Sequence, residues 1–177
     1  MAAKKADWRE GEKGDGTRGR GIAFAKYKNL ATYVAVVAEV ELDRMTGRVR
    51  VPRAFAAVDA GQIVNPDGLS NQIEGGMIQS TSWTLHEAIR FDRNGITSRD
   101  RSGYPILTMA EVPEVEVALI DRPNEKPFGA GEASQGPMAA AIANAFANAS
   151  GRCLRGLPLS PEPVPGGTRL GSHRSSL

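Results

Sequence analysis

Met138, Ala141, Ile142, Ala145, Phe146 and Ala149 recur at steps of three and four residues. Only an α-helix gathers such a set onto one face. Pro137 suits the first turn, where its missing N–H would be unpaired in any case. Gly151 suits the C-terminal stop, because glycine accepts the left-handed backbone that ends many helices. The chain must therefore bury one alanine-rich helix near its C-terminal end, and the rest of the fold must supply something for it to pack on.

That something reads as strands. Gly21 to Tyr27 is a short strand candidate, and Tyr33 to Leu42 is valine-rich and alternates toward its end. Asp43 to Gly47 is a turn, after which Arg48-Val49-Arg50-Val51 resumes the alternation and runs on to Val58. The pair predicts a β-hairpin with one wet face at its tip. Gly61 and Asn65-Pro66-Asp67-Gly68 are breakers. Leu69, Ile73, Met77 and Ile78 then predict a helix from Ser70 to about Ile89, capped by Ser70 or Asp67. Asp92 to Gly95 is a turn, Tyr104 to Leu107 an extended segment, Val115 to Ile120 a strand, and Asp121 to Pro127 a loop. Strands and helices mix without regular βαβ alternation, which predicts an α+β domain.

With 177 residues, one ordinary domain with tails is expected. Residues 1–19 are polar and glycine-rich and predict a mobile lead-in; 20–160 form the domain; 161–177 predict a disordered tail. The formal net charge of +2 is too small to argue for nucleic acid or a membrane surface. No apolar run approaches a membrane span. The N-terminus lacks the apolar stretch of a secretory signal. Cys153 is the one cysteine, which leaves no cysteine cluster for a metal; near a helix end, it reads as a small buried side chain.

Among residues that could do chemistry, Glu132 lies in a glycine-flanked loop just ahead of the alanine-rich helix. Glycines let a backbone approach a ligand closely, and a helix start offers unpaired N–H groups to an anion. A solvated loop glutamate fits the same facts. Gly75 and Gly76 sit inside the earlier helix, where each costs roughly 1 kcal/mol relative to alanine. Something must pack on that bare backbone, either another helix or a cofactor. Gln72 and Gln79 suit the edge of a heterocycle and equally suit solvent. His86, near the helix end, has no second metal ligand at helical spacing. His173 carries no signal. Asp59 follows an apolar strand and suits holding the next loop by side-chain hydrogen bonds. No serine–histidine–acid set, phosphate-binding P-loop or nicotinamide fingerprint is present.

Taken in order, several segments resemble one family. Asp59-Ala60-Gly61-Gln62-Ile63-Val64-Asn65-Pro66 is similar to a loop that follows a long strand there. Asn71-Gln72-Ile73-Glu74-Gly75-Gly76-Met77-Ile78-Gln79 looks like its glycine-bearing helix. Tyr104-Pro105-Ile106 and Glu111-Val112-Pro113 resemble the segment before its late strand. Phe128-Gly129-Ala130-Gly131-Glu132-Ala133-Ser134-Gln135-Gly136-Pro137 resembles its active-site loop. The family is the xanthine dehydrogenase and aldehyde oxidase group of molybdenum hydroxylases, with the molybdenum-binding subunits of isoquinoline 1-oxidoreductase and nicotinate dehydrogenase type nearest in look. The resemblance covers roughly Gly19 to Pro161.

The resemblance implies a molybdenum-binding domain that hydroxylates an electron-poor carbon of a small N-heterocycle or aldehyde, with oxygen from water. It implies molybdenum–molybdopterin cytosine dinucleotide as cofactor, with no protein side chain as metal ligand. Electrons would leave through 2Fe-2S clusters on an iron–sulfur partner subunit. Glu132 matches the family's catalytic base. Gln72 matches a glutamine that contacts the pterin, Gly131 the glycine beside the metal, and backbone from Ala130 through Ala133 and Ser134 to Gln135 would line the cofactor, as would the bare helix at Gly75 and Gly76. Ala133 stands where several relatives have proline. Family subunits are several times longer, so this chain would be a C-terminal part that shares its cofactor with an upstream half of the molybdenum subunit, as a split subunit or a truncated gene product. A non-catalytic remnant that binds a partner chain without cofactor is the alternative. The compartment implied is cytoplasmic, or periplasmic where the assembled complex is exported.

Overall fold

Val34, Val36, Ala38 and Val40 alternate along β2 (Tyr33–Leu42), and all four are buried. This period of two makes one face of a sheet. The computed structural model describes residues 1–159. In it β2 is central, flanked by β1 (Arg18–Lys26) on one side and β4 (Arg53–Asp59) on the other, both antiparallel to it. The short β3 (Val49–Arg50) extends the β2 hairpin. Val51 and Pro52 separate β3 from β4, so the second hairpin arm is two strands, not one run to Val58. Proline has no N–H to give to the ladder.

From β4 the chain crosses through α2 (Pro66–Leu85) and returns as β7 (Glu114–Leu119), parallel to β4. Between them lies a two-strand ribbon, β5 (Phe91–Asp92) and β6 (Gly95–Ile96), closed by the expected turn. The last helix, α3 (Gln135–Ser150), ends at Gly151 with φ of 71°, the left-handed stop expected of it. The architecture is α+β, with α2 and α3 on one face of the sheet. No helix among the described residues is long and apolar enough to cross a membrane.

Helix α2 begins earlier than its apolar periodicity suggests. Asn65, in extended backbone, accepts a hydrogen bond from the Gly68 N–H at 2.9 Å, and Pro66 occupies the first helical position. Asparagine cap plus proline is a helix start, although the same residues also read as a breaker. The helix stops at Leu85, because His86 turns out of helical backbone and Tyr104 ties Glu87 away at 2.7 Å.

Residues 1–19 are not a free lead-in. A single turn, α1 (Ala2–Lys5), and Ala6 lie on the sheet face opposite the long helices, buried against Val37, Phe55 and Ala57. Arg20 donates to the Asp7 carbonyl at 3.0 Å. The second sheet face needs apolar cover, and these alanines supply it. Cys153 is exposed, not buried, since the chain past Gly151 leaves the helix and runs along the surface. The segment 161–177 lies outside the described residues.

The helix–sheet contact depends on absent side chains. A Cβ at Gly19 would stand 2.4 Å from the Ala145 carbonyl, and one at Gly21 would stand 2.2 Å from the Ala141 carbonyl and the Ala145 nitrogen. Those atoms are helix backbone and cannot step aside. Gly21→Ala should therefore cost about 1–3 kcal/mol of stability or more, read as a lower urea midpoint; an unchanged midpoint would show that α3 does not sit this close on β1.

Candidate active site

The parallel strands β4 and β7 both end on the same edge of the sheet, and ligands of open sheets gather outside such carboxyl ends. The loop after β4 and the loop after β7 are stitched together there. The Phe128 N–H donates to the Ala60 carbonyl at 2.8 Å, and the Arg122 N–H to the Gly61 carbonyl at 3.1 Å. Asp59 performs the holding role expected of it: one oxygen accepts the Gly61 N–H and the other the Arg122 guanidinium, each at 3.1 Å. The register Lys26–Tyr33–Asp59 puts the β1–β2 hairpin tip at this edge as well. Gln62, Asn65, Gln72, Phe128 and Gly131 are among the residues lining a cleft of about 360 Å³ here.

Helix α2 presents one stripe to the start of α3. Gln72 donates from Nε2 to the Gly131 carbonyl at 2.7 Å. Ser134 Oγ donates to the Ile73 carbonyl at 3.0 Å. Gln135 Nε2 donates to Gln79 Oε1 at 2.9 Å, and Ser80 Oγ to the Gln135 carbonyl at 2.8 Å. Gly76 lies under Ser134, where an added Cβ would stand 2.5 Å from the hydroxyl oxygen. The bare backbone at Gly76 thus serves a contact within the chain. Gly75 does not: it is exposed and a Cβ there would meet nothing within 4 Å.

From the other side, the buried Thr32 donates from Oγ1 to the Gly129 carbonyl at 3.0 Å. A trans peptide points its C=O and the following N–H in opposite directions. With the Gly129 and Gly131 carbonyls turned toward Thr32 and Gln72, the N–H groups of Ala130 and Glu132 turn away from those braces. Neither has a hydrogen-bond partner among the described residues. Glu132 is exposed, and its Oε2 accepts a hydrogen bond from the Tyr27 hydroxyl at 3.0 Å. Oε1 is left open.

The stretch Ala130 to Gln135 divides. Ala133 and Ser134 are buried. The N–H groups of Ala133 and Gln135 close turns on the Ala130 and Glu132 carbonyls, both at 3.3 Å. The start of α3 consumes the Ala133 and Gln135 N–H groups, while the Ser134 N–H has no partner among the described residues. Ala130, Gly131 and Glu132 remain available. At Gly129, Gly131 and Gly136 a Cβ would meet nothing within 4 Å, and none of the three has positive φ. Among the described residues, neither packing nor backbone conformation calls for glycine there. Bare backbone of this kind lets a group from outside approach closely. Unpaired N–H donors and bare backbone beside a cleft fit an anionic group lying against the loop, with the Glu132 carboxylate at its side as a proton acceptor.

His86 is remote from the loop, at the end of α2, with Nε2 3.8 Å from Glu111. The Thr108 hydroxyl and N–H, with Arg48, hold the Glu111 carboxyl down at about 2. Among the described residues no three His, Cys, Asp or Glu side chains converge as a metal-ligand set. Tyr27 and Thr32 carry no motif in the sequence. The one local signal is the Lys28-Asn29 step between two strands, where both residues take positive φ, a conformation asparagine tolerates.

Residues 1–113 match the model of a molybdopterin cofactor-binding domain, a match that stops short of the Glu132 loop. A nicotinate dehydrogenase subunit of Pseudomonas putida is 45% identical over 157 residues, covering 85% of this chain and 13% of that protein. The beta subunit of isoquinoline 1-oxidoreductase from Brevundimonas diminuta is 34% identical over 160 residues, covering 90% and 20%. Among solved structures, quinoline 2-oxidoreductase from Pseudomonas putida 86 superposes with a TM-score of 0.62 at 28% identity, covering 67% of this chain and 16% of that one. The chain spans 13% and 20% of the length of the two curated relatives.

The two kinds of glycine separate in stability. Gly131→Ala should change the unfolding free energy by less than about 0.5 kcal/mol. Gly76→Ala should lower it by about 1–3 kcal/mol, because the displaced Ser134 hydroxyl is left buried and unpaired. Paired urea titrations check both; a destabilised Gly131→Ala would show that glycine is needed there by the chain itself.

Proposed function

The chain belongs to the molybdopterin cofactor-binding domain family of xanthine dehydrogenase and aldehyde oxidoreductase large subunits, and we propose that it supplies the base-bearing side of the active site of a molybdenum hydroxylase. Its substrate class would be a small N-heterocycle or aldehyde, hydroxylated with oxygen from water. The bare backbone at Gly129 and Gly131, which no side chain among the described residues covers, beside a cleft lined by Gln72, Ala130 and Gly131, is the observation that carries this reading.

When bound, the cofactor, in its cytosine dinucleotide form, supplies the two-electron oxidising centre and the Lewis acidity that activates water. Binding, orientation and proton uptake fall to the residues of this chain. Ala130 and Glu132 offer N–H donors to the cofactor's oxygens. Gln72 braces the Gly131 carbonyl with one amide N–H and keeps its Oε1 for the pterin edge. Gly75, Gly129 and Gly131 let the group lie against the main chain. Glu132 takes up a proton on Oε1, the oxygen Tyr27 does not occupy. A positioned general base of this kind contributes about 10²–10⁴-fold.

The remaining wall of the cofactor site would come from the upstream half of the molybdenum subunit, and electrons would pass to 2Fe-2S clusters on an iron–sulfur subunit. We place the assembled enzyme in the cytoplasm, or in the periplasm where it is exported. Glu132→Gln in the assembled enzyme should retain molybdenum and pterin and lose turnover by about 10²-fold or more. Near wild-type hydroxylation by that variant removes the base assignment; absence of molybdenum and pterin from the wild-type complex removes the enzyme reading and leaves a non-catalytic remnant.

A further inference from the structure

The β1–β2 hairpin reaches the candidate base from more than 90 residues away in sequence, and nothing in the family resemblance assigns it a role. Its neck is closed by the Tyr27 N–H donating to the Thr32 carbonyl at 2.8 Å. From this bonded pair two side chains extend over the active-site loop. The Tyr27 hydroxyl donates to Glu132 Oε2, and Thr32 Oγ1 donates to the Gly129 carbonyl, both at 3.0 Å. The tip between them is held in left-handed backbone, with φ of 50° at Lys28 and 58° at Asn29. Non-glycine residues persist in that region where the surroundings over-determine them.

We propose that Tyr27 is a positioning residue for Glu132, and that the hairpin tip, through Tyr27 and Thr32, sets the orientation of the base and of its loop as one unit. This rests on the assignment of Glu132 as the base. The loop needs such a device. Gly129 and Gly131 flank Ala130 with free backbone torsions, and Glu132 itself is exposed. Gln72 fixes the Gly131 carbonyl from α2, but no α2 side chain holds the Glu132 carboxylate. One phenol donating to one carboxylate oxygen fixes the side chain and leaves the other oxygen as the proton acceptor. The Tyr27 ring also packs against the core, so phenylalanine keeps the packing and removes only the donor.

The test uses the assembled holoenzyme. Tyr27→Phe should lower kcat by about 10²-fold, the scale expected for a misplaced reacting group, with KM, molybdenum content and melting temperature unchanged. Its crystal structure should show the Glu132 carboxylate turned away from its wild-type rotamer. Thr32→Val should displace the Gly129 carbonyl and lower kcat in the same sense. Added to Glu132→Gln, Tyr27→Phe should produce no further loss, since it acts through that carboxylate. Full kcat in Tyr27→Phe, an unmoved Glu132, or a further loss in the double variant each overturns the positioning role. Glu132→Gln measured alongside separates the two levels. If it is inactive while Tyr27→Phe is fully active, only the positioning role falls; if it is fully active, the base assignment falls and takes the positioning role with it.

Discussion

The molecule depends on how closely α3 sits on β1. Gly14, Gly19 and Gly21 put bare backbone under the Ala141, Ala145 and Asn148–Ala149 turns, at separations a methyl group would close to 2.2–2.5 Å. Small residues on both surfaces bring the two backbones together and gain dispersion contacts that longer side chains would hold apart. The consequence reaches the other end of both elements. The start of α3 is anchored over the sheet, so the loop feeding it comes within hydrogen-bonding distance of the hairpin that ends β1. A helix seated a few ångströms higher would leave the Tyr27 hydroxyl without Glu132 and Thr32 without Gly129.

Glycine has three uses in this chain, and only one of them points outward. Gly61 and Gly151 take positive φ. Gly14, Gly19, Gly21 and Gly76 make room for atoms of the chain itself. Gly75, Gly129, Gly131, Gly136 and Gly156 do neither among the described residues. Glycine costs conformational entropy wherever it is used, so its presence without such a reason at Gly129, Gly131 and Gly136, within four residues of Glu132 in sequence, is evidence for an external neighbour. That inference is independent of the family match, whose model ends at residue 113.

What can be read from the sequence follows the range of the interactions concerned. The period of α3 and its Gly151 stop are local, and the helix is legible to within a residue or two. The start of α2 is misplaced by its apolar period because Asn65-Pro66 serves equally as a breaker and as a cap with a first-turn proline; only the Asn65–Gly68 hydrogen bond decides between them. The N-terminal residues look free because two alanines carry almost no signal; their burial depends on Phe55, some fifty residues on. Gly75 and Gly76 are legible as a pair that needs a partner, but not as a pair with different partners. Glu132 comes from the resemblance, since a loop carboxylate by itself is uninformative. Tyr27 and Thr32 cannot be found at all: their bonds span 105 and 97 residues, and no local pattern encodes a contact at that distance.

The chemistry of the braces is consistent with the role argued for the carboxylate. Glu132 forms no salt bridge among the described residues, although the chain pairs many of its other acids with arginine. Tyr27 contributes one hydrogen bond and no charge; Thr32 and Gln72 hold the loop by its carbonyls and do not touch the carboxylate. Orientation is thus supplied by neutral donors, and the one charge on the loop keeps an oxygen without a partner among the described residues. A surface glutamate kept only for solubility would require none of these three braces, and a purely structural one would be expected to have its charge paired.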